Sequence, residues 1–416
     1  MNPLFLFGAL LFLATLTAEN AVLGNDNVAD IVSPSFSEIS GYVSGEVAFF
    51  PKVGLLGVED RALFSLAAEP EYYLEYEEGA TMTLRPFYRF DSADPNRTHG
   101  DIRELLFQDS WTDWHLSIGV GKVFWGVVES KHLVDIVNQT DVLEGPNGEA
   151  KLGQPMVHLS TNFGSGFLDL FIMPYFRQRD FPSRSGRFRG AVLIDPDKST
   201  YETRLERWHP DVAMRYSASP GNWDLGLAQF YGISREPSLA LGINDDGNAV
   251  LVPTYEIISQ TSLDLQLTSG VWLWKLEGLV RSDQKNVFGV EQNYYSAVAG
   301  VEHNMYGFAG TYADLGILVE YMRDSRLRAA TDPLNHDIFF GGRLALNDEA
   351  DSQALVGALQ DINSSTRQYF IEASRRITDG VKLTLEAQLF SAVGADDPLQ
   401  GLKDDDFLRL ELAYFY

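Results

Sequence analysis

Apolar and polar residues alternate along most of this chain, in segments of about ten residues separated by turn-forming or polar stretches. In 381–390, Val381, Leu383, Leu385, Ala387 and Leu389 share one parity, while Lys382, Thr384, Glu386 and Gln388 share the other. In 271–281, Trp272, Trp274, Leu276 and Val280 oppose Lys275, Glu277 and Arg281. A period of two puts the sets on opposite faces of an extended strand. The same pattern predicts strands at 114–124, 314–322 and 406–416. Further segments lie at 39–50, 65–76, 81–91, 101–111, 155–163, 167–176, 211–218, 223–232, 254–267, 293–304, 336–346, 352–360 and 367–376. The count is eighteen. Sixteen is the alternative, because alternation is weak at 65–76, which contains Pro70, and at 352–360.

The connections differ in length by turns. Short ones hold Glu78-Gly79, Gly164-Ser165-Gly166, Ser219-Pro220-Gly221-Asn222, Ser269-Gly270 and Thr378-Asp379-Gly380, residues that preset a tight turn or tolerate positive φ. Long polar ones occupy 125–154, 177–210 and 233–253. The polar faces carry Lys275, Glu277, Arg281, Lys382, Glu386, Arg409 and Glu411. A packed soluble barrel cannot bury that many charges unpaired, whereas a wet lumen hydrates them. The expected fold is therefore all-β: a transmembrane antiparallel β-barrel with short periplasmic turns and long extracellular loops. Strands of about ten residues, tilted by about 40°, cross roughly 25 Å, the height of the apolar band in such barrels.

Composition sharpens the address. The 416 residues include no cysteine, 26 Phe, 18 Tyr and 7 Trp. Disulfides, thiolate metal sites and cysteine nucleophiles are excluded together. The apolar run within 3–18 is shorter than the roughly 20 residues of a membrane-spanning helix and reads as a signal peptide over 1–18, cleaved near Ala18 or Ala21. Residues 19–36 read as a flexible lead and 37–416 as the barrel. A formal charge of −26 argues against nucleic-acid binding.

Two connections concentrate candidate chemistry. Segment 176–190, F-R-Q-R-D-F-P-S-R-S-G-R-F-R-G, holds Arg177, Arg179, Arg184, Arg187 and Arg189, in a chain with only 32 Lys and Arg in total. Guanidinium forks suit carboxylates and phosphates, so this is a candidate anion-attracting loop; lipopolysaccharide phosphates or loop acids are the other partners such a run could meet. Segment 126–153 carries Glu129, Asp135, Asp141 and Glu144. It is the third long-side connection, and long enough to fold inward. Its acids are expected to form a pore constriction with inward-parity bases Arg85, Arg89, Arg103, Lys122, Lys275, Arg281 and Arg343. Opposed charges of this kind orient polar solutes. The simpler outcome is pairing of those bases with wall neighbours such as Glu104, Glu277, Glu302 and Glu386.

Enzyme chemistry finds no support. The seven histidines are scattered, with neither HExxH nor a compact ligand set, and GxSxG and phosphate-binding glycine loops are missing. Acidic runs at Asp245-Asp246, 348–351 and 404–406 lack EF-hand spacing and read as solvated surface. No catalytic residue, cofactor or metal is expected.

The terminal segment D-F-L-R-L-E-L-A-Y-F-Y, ending at Tyr416, resembles the last strand of Gram-negative outer-membrane barrels. That resemblance implies a strand that closes the barrel and is read by the outer-membrane assembly machinery. F-W-G-V-V-E at 124–129 and D-I-V-N-Q-T-D at 135–141 resemble a segment of uncharacterised proteobacterial outer-membrane barrels of porin-like kind, over about twenty residues. The combined expectation is an outer-membrane porin-like channel for passive or weakly selective passage of small polar solutes, anionic ones among them. Its surroundings would be outer-membrane lipid and lipopolysaccharide, and a homotrimer is one assembly it could adopt. The alternatives are a barrel that exports an anionic polysaccharide and a structural or adhesive protein with a plugged lumen.

Overall fold

The computed structural model describes residues 34–54, 58–145 and 147–416. The expected signal peptide and nearly all of the lead lie outside the described residues. The strands are β1 (Phe36–Phe49), β2 (Ala62–Glu75), β3 (Thr81–Asp91), β4 (His99–Trp111), β5 (Trp114–Gly121), β6 (Gln154–Phe163), β7 (Gly166–Met173), β8 (Thr200–Tyr201), β9 (Asp211–Ala218), β10 (Trp223–Ile233), β11 (Ser238–Ile243), β12 (Ala249–Tyr255), β13 (Ile257–Ser269), β14 (Trp272–Lys285), β15 (Glu291–Met305), β16 (Asp314–Asp324), β17 (His336–Ala345), β18 (Gln353–Asp361), β19 (Arg367–Thr378), β20 (Val381–Ser391) and β21 (Phe407–Phe415). Eighteen of them form one antiparallel sheet that closes where β1 pairs with β21, from Tyr42↔Phe415 to Phe49↔Leu408. Closure leaves no free edge. The other three, β8, β11 and β12, make a small separate sheet in the loops.

All eighteen expected segments are barrel strands, including the two with weak alternation. Many boundaries shift by a few residues, β14 for instance running on to Lys285, and three shifts change where the chain goes. Segment 114–124 leaves the wall at Gly121 and segment 167–176 at Met173, because each chain end continues inward as loop. Segment 254–267 divides at Glu256: β12 belongs to the loop sheet and β13 to the barrel. No turn-forming residue stands at that point, so the sequence does not mark it.

One irregularity matters for the interior. The β3–β4 register shifts between Arg85↔Glu104 and Pro86↔Ile102, leaving Arg103 as an extra residue. Proline has no N–H for the ladder and is tolerated at such a bulge. The bulge lets consecutive residues Arg103 and Glu104 both reach the lumen.

Outside, exposed Val280, Ile317, Ile371, Leu410 and Leu412 belong to a continuous apolar surface. Trp111, Trp114, Phe163, Phe167 and Trp223 rim it on the short-turn side; Tyr88, Phe90, Tyr231, Tyr295 and Tyr321 rim it on the loop side. An apolar belt between two aromatic rims fits a bilayer and its interfaces. Among the described residues, no helix is long and apolar enough to cross a membrane; the strands do the crossing.

Candidate functional site

Three loops on the long side converge on the lumen: the third (122–153), the fourth (174–210) and the fifth (234–256). The neck of the third loop is stapled by Asn138, which is 1% exposed. Its Oδ1 accepts from Val123 N–H at 2.8 Å, and its Nδ2 donates to the carbonyls of Gly121 (2.9 Å) and Leu152 (2.8 Å). Beyond that neck the loop crosses the bore. Trp125, Val134, Ile136 and Val137 pack on inward Met156, Phe171, Phe230 and Ile258. Val128 and Leu133 pack on Leu279, Val298, Leu318 and Phe339. About half of the inner wall, from β6 to β18, is thus covered by the loop, through apolar patches set among buried polar groups.

Two wall carboxylates grip the loop through its backbone. Glu277 on β14 accepts the N–H groups of Val127 (2.7 Å), Val128 (3.2 Å), Leu133 (2.7 Å) and Val134 (3.3 Å). Glu320 on β16 accepts those of Glu129 and Ser130, both at 2.8 Å, and the Ser130 hydroxyl. Both carboxylates are essentially buried. Glycines make room for them. A Cβ on Gly126, whose φ is +153°, would sit 2.9 Å from Glu277 Oε1, and one on Gly300 would sit 2.6 Å from Glu320 Cγ.

The opposite end of the loop meets β3 and β4, on the far side of the barrel. Asp141 accepts from Arg103 at 2.7 Å, and Glu144 pairs with Arg89 at 2.8 Å. Arg89 also pairs with Glu46 (3.3 Å), and Arg97 bridges Glu46 (2.9 Å) and Asp91 (2.7 Å). The loop therefore spans the lumen from wall to wall. His99 joins this cluster with Nε2 at 4.0 Å from Asp141 and from Glu144. Although these three donors lie close enough to suggest a metal site, both acids already serve as counter-charges to guanidiniums.

The remaining expected constriction residues are distributed as follows. Glu129 pairs with Arg343. Asp135 is internal to the loop and pairs with Lys151 at 3.1 Å. Arg85 pairs with Glu71 and, at 3.6 Å, with Glu104. Lys275 pairs with its wall neighbour Glu302 at 2.9 Å. Arg281 reaches Gln260 (2.8 Å) and Glu236 of the fifth loop (3.4 Å). Lys122 is exposed and has no ion pair among the described residues.

The five arginines of segment 176–190, in the fourth loop, divide too. Arg177 pairs with Asp101 at 2.7 Å, and Arg179 donates to the Arg235 carbonyl at 2.9 Å. Arg187 pairs with Asp405 at 2.8 Å and reaches the carbonyls of Lys52, Val58 and Asp404. Arg184 is exposed and Arg189 buried. Sequence reasoning missed Glu320, Arg97 and Glu46, and treated Glu277 only as a wall counter-charge. The glycines facing Glu277 and Glu320 are a signal, but only once the register is known.

His132 supplies a titration. Burial disfavours its charged form, but Glu149 (3.6 Å) and Glu277 (3.8 Å) outweigh that and raise its pKa to about 10. The unfolded histidine titrates near 6.5. Its contribution is therefore complete below about pH 6.5 and disappears as pH rises through about 10. Current noise from a loosening loop should grow across that window. A His132→Gln barrel should show no such growth in single-channel records; identical pH profiles would contradict the assignment.

No family model and no curated protein match this sequence. Solved structures do. Pseudomonas aeruginosa OccK8 (OprE) superposes with a TM-score of 0.53 at 9% identity, over 91% of this chain and 98% of that one. P. aeruginosa OccK2 (OpdF), solved in complex with glucuronate, gives 0.53 at 12%, over 91% and 97%. P. aeruginosa OccD3 (OpdP) gives 0.53 at 7%, over 93% and 96%. Likeness at such identities concerns the fold alone: this chain has the fold of an 18-stranded outer-membrane porin, with its third loop folded across the lumen.

Proposed function

We propose that the barrel is a passive, weakly selective outer-membrane channel for small polar solutes, anionic ones among them. The observation that carries this is the asymmetry of the bore. The third loop lays its apolar side on the wall from β6 to β18 and its acidic end on Arg103 and Arg89 of β4 and β3, so only part of the polar wall of β19–β21 and β1–β5 keeps water contact. That part carries Arg85, Glu104 and Lys122, while Glu386 and Arg409 pair beside the loop's end, where Arg409 donates to the Glu144 carbonyl. Both signs of charge in a hydrated passage favour polar over apolar solutes and give only modest ion selectivity. The anionic part of the proposal is supported by bases that retain water contact: Lys122 without an ion pair, and Arg85 and Arg343, whose side chains are 40% and 44% exposed. The glucuronate bound by OccK2, a protein of the same fold, is compatible with it.

Planar-bilayer recording of the purified protein is the test. Stable ion steps are expected, with a small reversal potential in a salt gradient. Lys122→Glu should move that potential towards cation preference while leaving the barrel folded. A protein that inserts without conducting would support the plugged-lumen alternative and end this proposal.

A further inference from the structure

Segment 176–190 of the fourth loop holds two guanidiniums that have no carboxylate partner among the described residues. Of its five arginines, Arg177 and Arg187 have carboxylate partners, and Arg179 is tied to a backbone carbonyl. Arg189 is 8% exposed, yet among the described residues no carboxylate lies within ion-pairing distance of it. One of its N–H groups donates to the neighbouring Gly190 carbonyl at 3.2 Å, and its Nε is buried without a hydrogen-bond partner. Arg184 is exposed and has neither hydrogen bond nor ion pair among the described residues. Arginine stays protonated in proteins, so a buried one without a counter-charge is costly.

The segment between them is held firmly. Ser183 N–H donates to Asp94 at 3.2 Å, and Ser185 Oγ donates to the Ala93 carbonyl at 2.7 Å. Phe188, at φ 58°, donates its N–H to Asp405 at 2.8 Å and packs its ring on Phe50 and Phe407. Two like charges are therefore fixed on one short, anchored turn. Burial holds the Arg189 guanidinium below its ordinary range; Asp405 opposes this, and the charge of Arg184 adds to it.

We propose that Arg184 and Arg189 form an oxyanion receptor on the loop side of the barrel, taking a phosphate or carboxylate group. An anion there meets a planar fork with no carboxylate in ion-pairing distance, Asp405 and Asp94 acting on it only from further off, and relieves the repulsion between the two arginines. The group has two sources: a small solute approaching the mouth, or a phosphate of lipopolysaccharide in the surrounding leaflet. The receptor stands independently of channel activity.

Calorimetric titration of the detergent-solubilised barrel with inorganic phosphate reads the first source. Barrels in nanodiscs containing either intact or dephosphorylated lipopolysaccharide, with retained lipid quantified after washing, read the second. Arg184→Gln, at an exposed position that does not threaten folding, should weaken whichever binding occurs by about tenfold, in line with one charge-assisted hydrogen bond. Arg189→Gln should abolish it. Saturable phosphate binding that both variants lose establishes a solute site. Selective retention of phosphorylated lipopolysaccharide, lost in both variants, establishes a lipid site. Binding in neither arm, or binding that both variants keep, overturns the receptor.

Discussion

A Glu277→Ala barrel is expected to conduct more current, with more noise, than the parent. The carboxylate of Glu277 accepts four backbone N–H groups of the third loop, at 2.7 to 3.3 Å, and lies 3.8 Å from His132. Alanine leaves those amides buried without an acceptor, at about 1–3 kcal/mol each. The penalty is on the order of several kcal/mol even after partial relaxation. The apolar contacts of Val128 and Leu133 persist, so the loop loosens rather than leaves. Glu277→Gln should fall between the two. It keeps one acceptor oxygen but turns an NH₂ towards the donors of Leu133 and Val134. Adding Glu320→Ala removes the second grip and should deepen the effect. Unaltered conductance and noise in the double variant would show that the apolar packing alone fixes the loop.

The second large effect is expected at Arg187. Its guanidinium lies 4.1 Å from the Phe50 ring centroid, pairs with Asp405 and donates to carbonyls of the first and last loops. Arg187→Ala leaves the buried Asp405 carboxylate with the Phe188 N–H as its remaining hydrogen bond. Removing one partner of such a pair costs about 3–5 kcal/mol. The loop-side mouth should open locally while the barrel stays closed, so limited proteolysis should cut within 177–190 without lowering the barrel's melting temperature. Arg187→Ala combined with Asp405→Asn should recover part of the loss, because it removes the orphaned charge. Resistance to protease equal to the parent's would refute the role.

The wall of the barrel was legible because lipid outside and water inside impose opposite demands on neighbouring residues. The reading weakens where the third loop replaces water. Leu279, Val298, Leu318, Met322 and Phe339 point inward yet are apolar, so contrast is lost at those positions, although 271–281 and 314–322 stay legible through inward Lys275, Glu277, Arg281 and Glu320. The loop sheet of β8, β11 and β12 was invisible because no turn-forming residue separates β12 from β13 at Glu256. In the site, parity put Arg85, Arg89, Arg103, Lys275, Arg281 and Arg343 on the lumen face but could not choose their partners. Partner choice depends on which loop arrives: Arg89 met the third loop, Arg281 the fifth and Lys275 only its neighbouring strand. In segment 176–190 of the fourth loop, five arginines of similar sequence context divided between tethers and charges without an ion pair. That division is set by Asp101 and Asp405, which are remote in sequence.

The grip of Glu277 and Glu320 on the third loop is made mainly through main-chain amides, which every residue except proline possesses. Exchanging the side chains of Val127 and Glu129 therefore leaves these amide bonds in place, provided Gly126 keeps its clearance. A gate attached in this way separates mounting from lettering: the same hinge can carry a different filter, which makes this stretch the natural place to redesign what the passage admits.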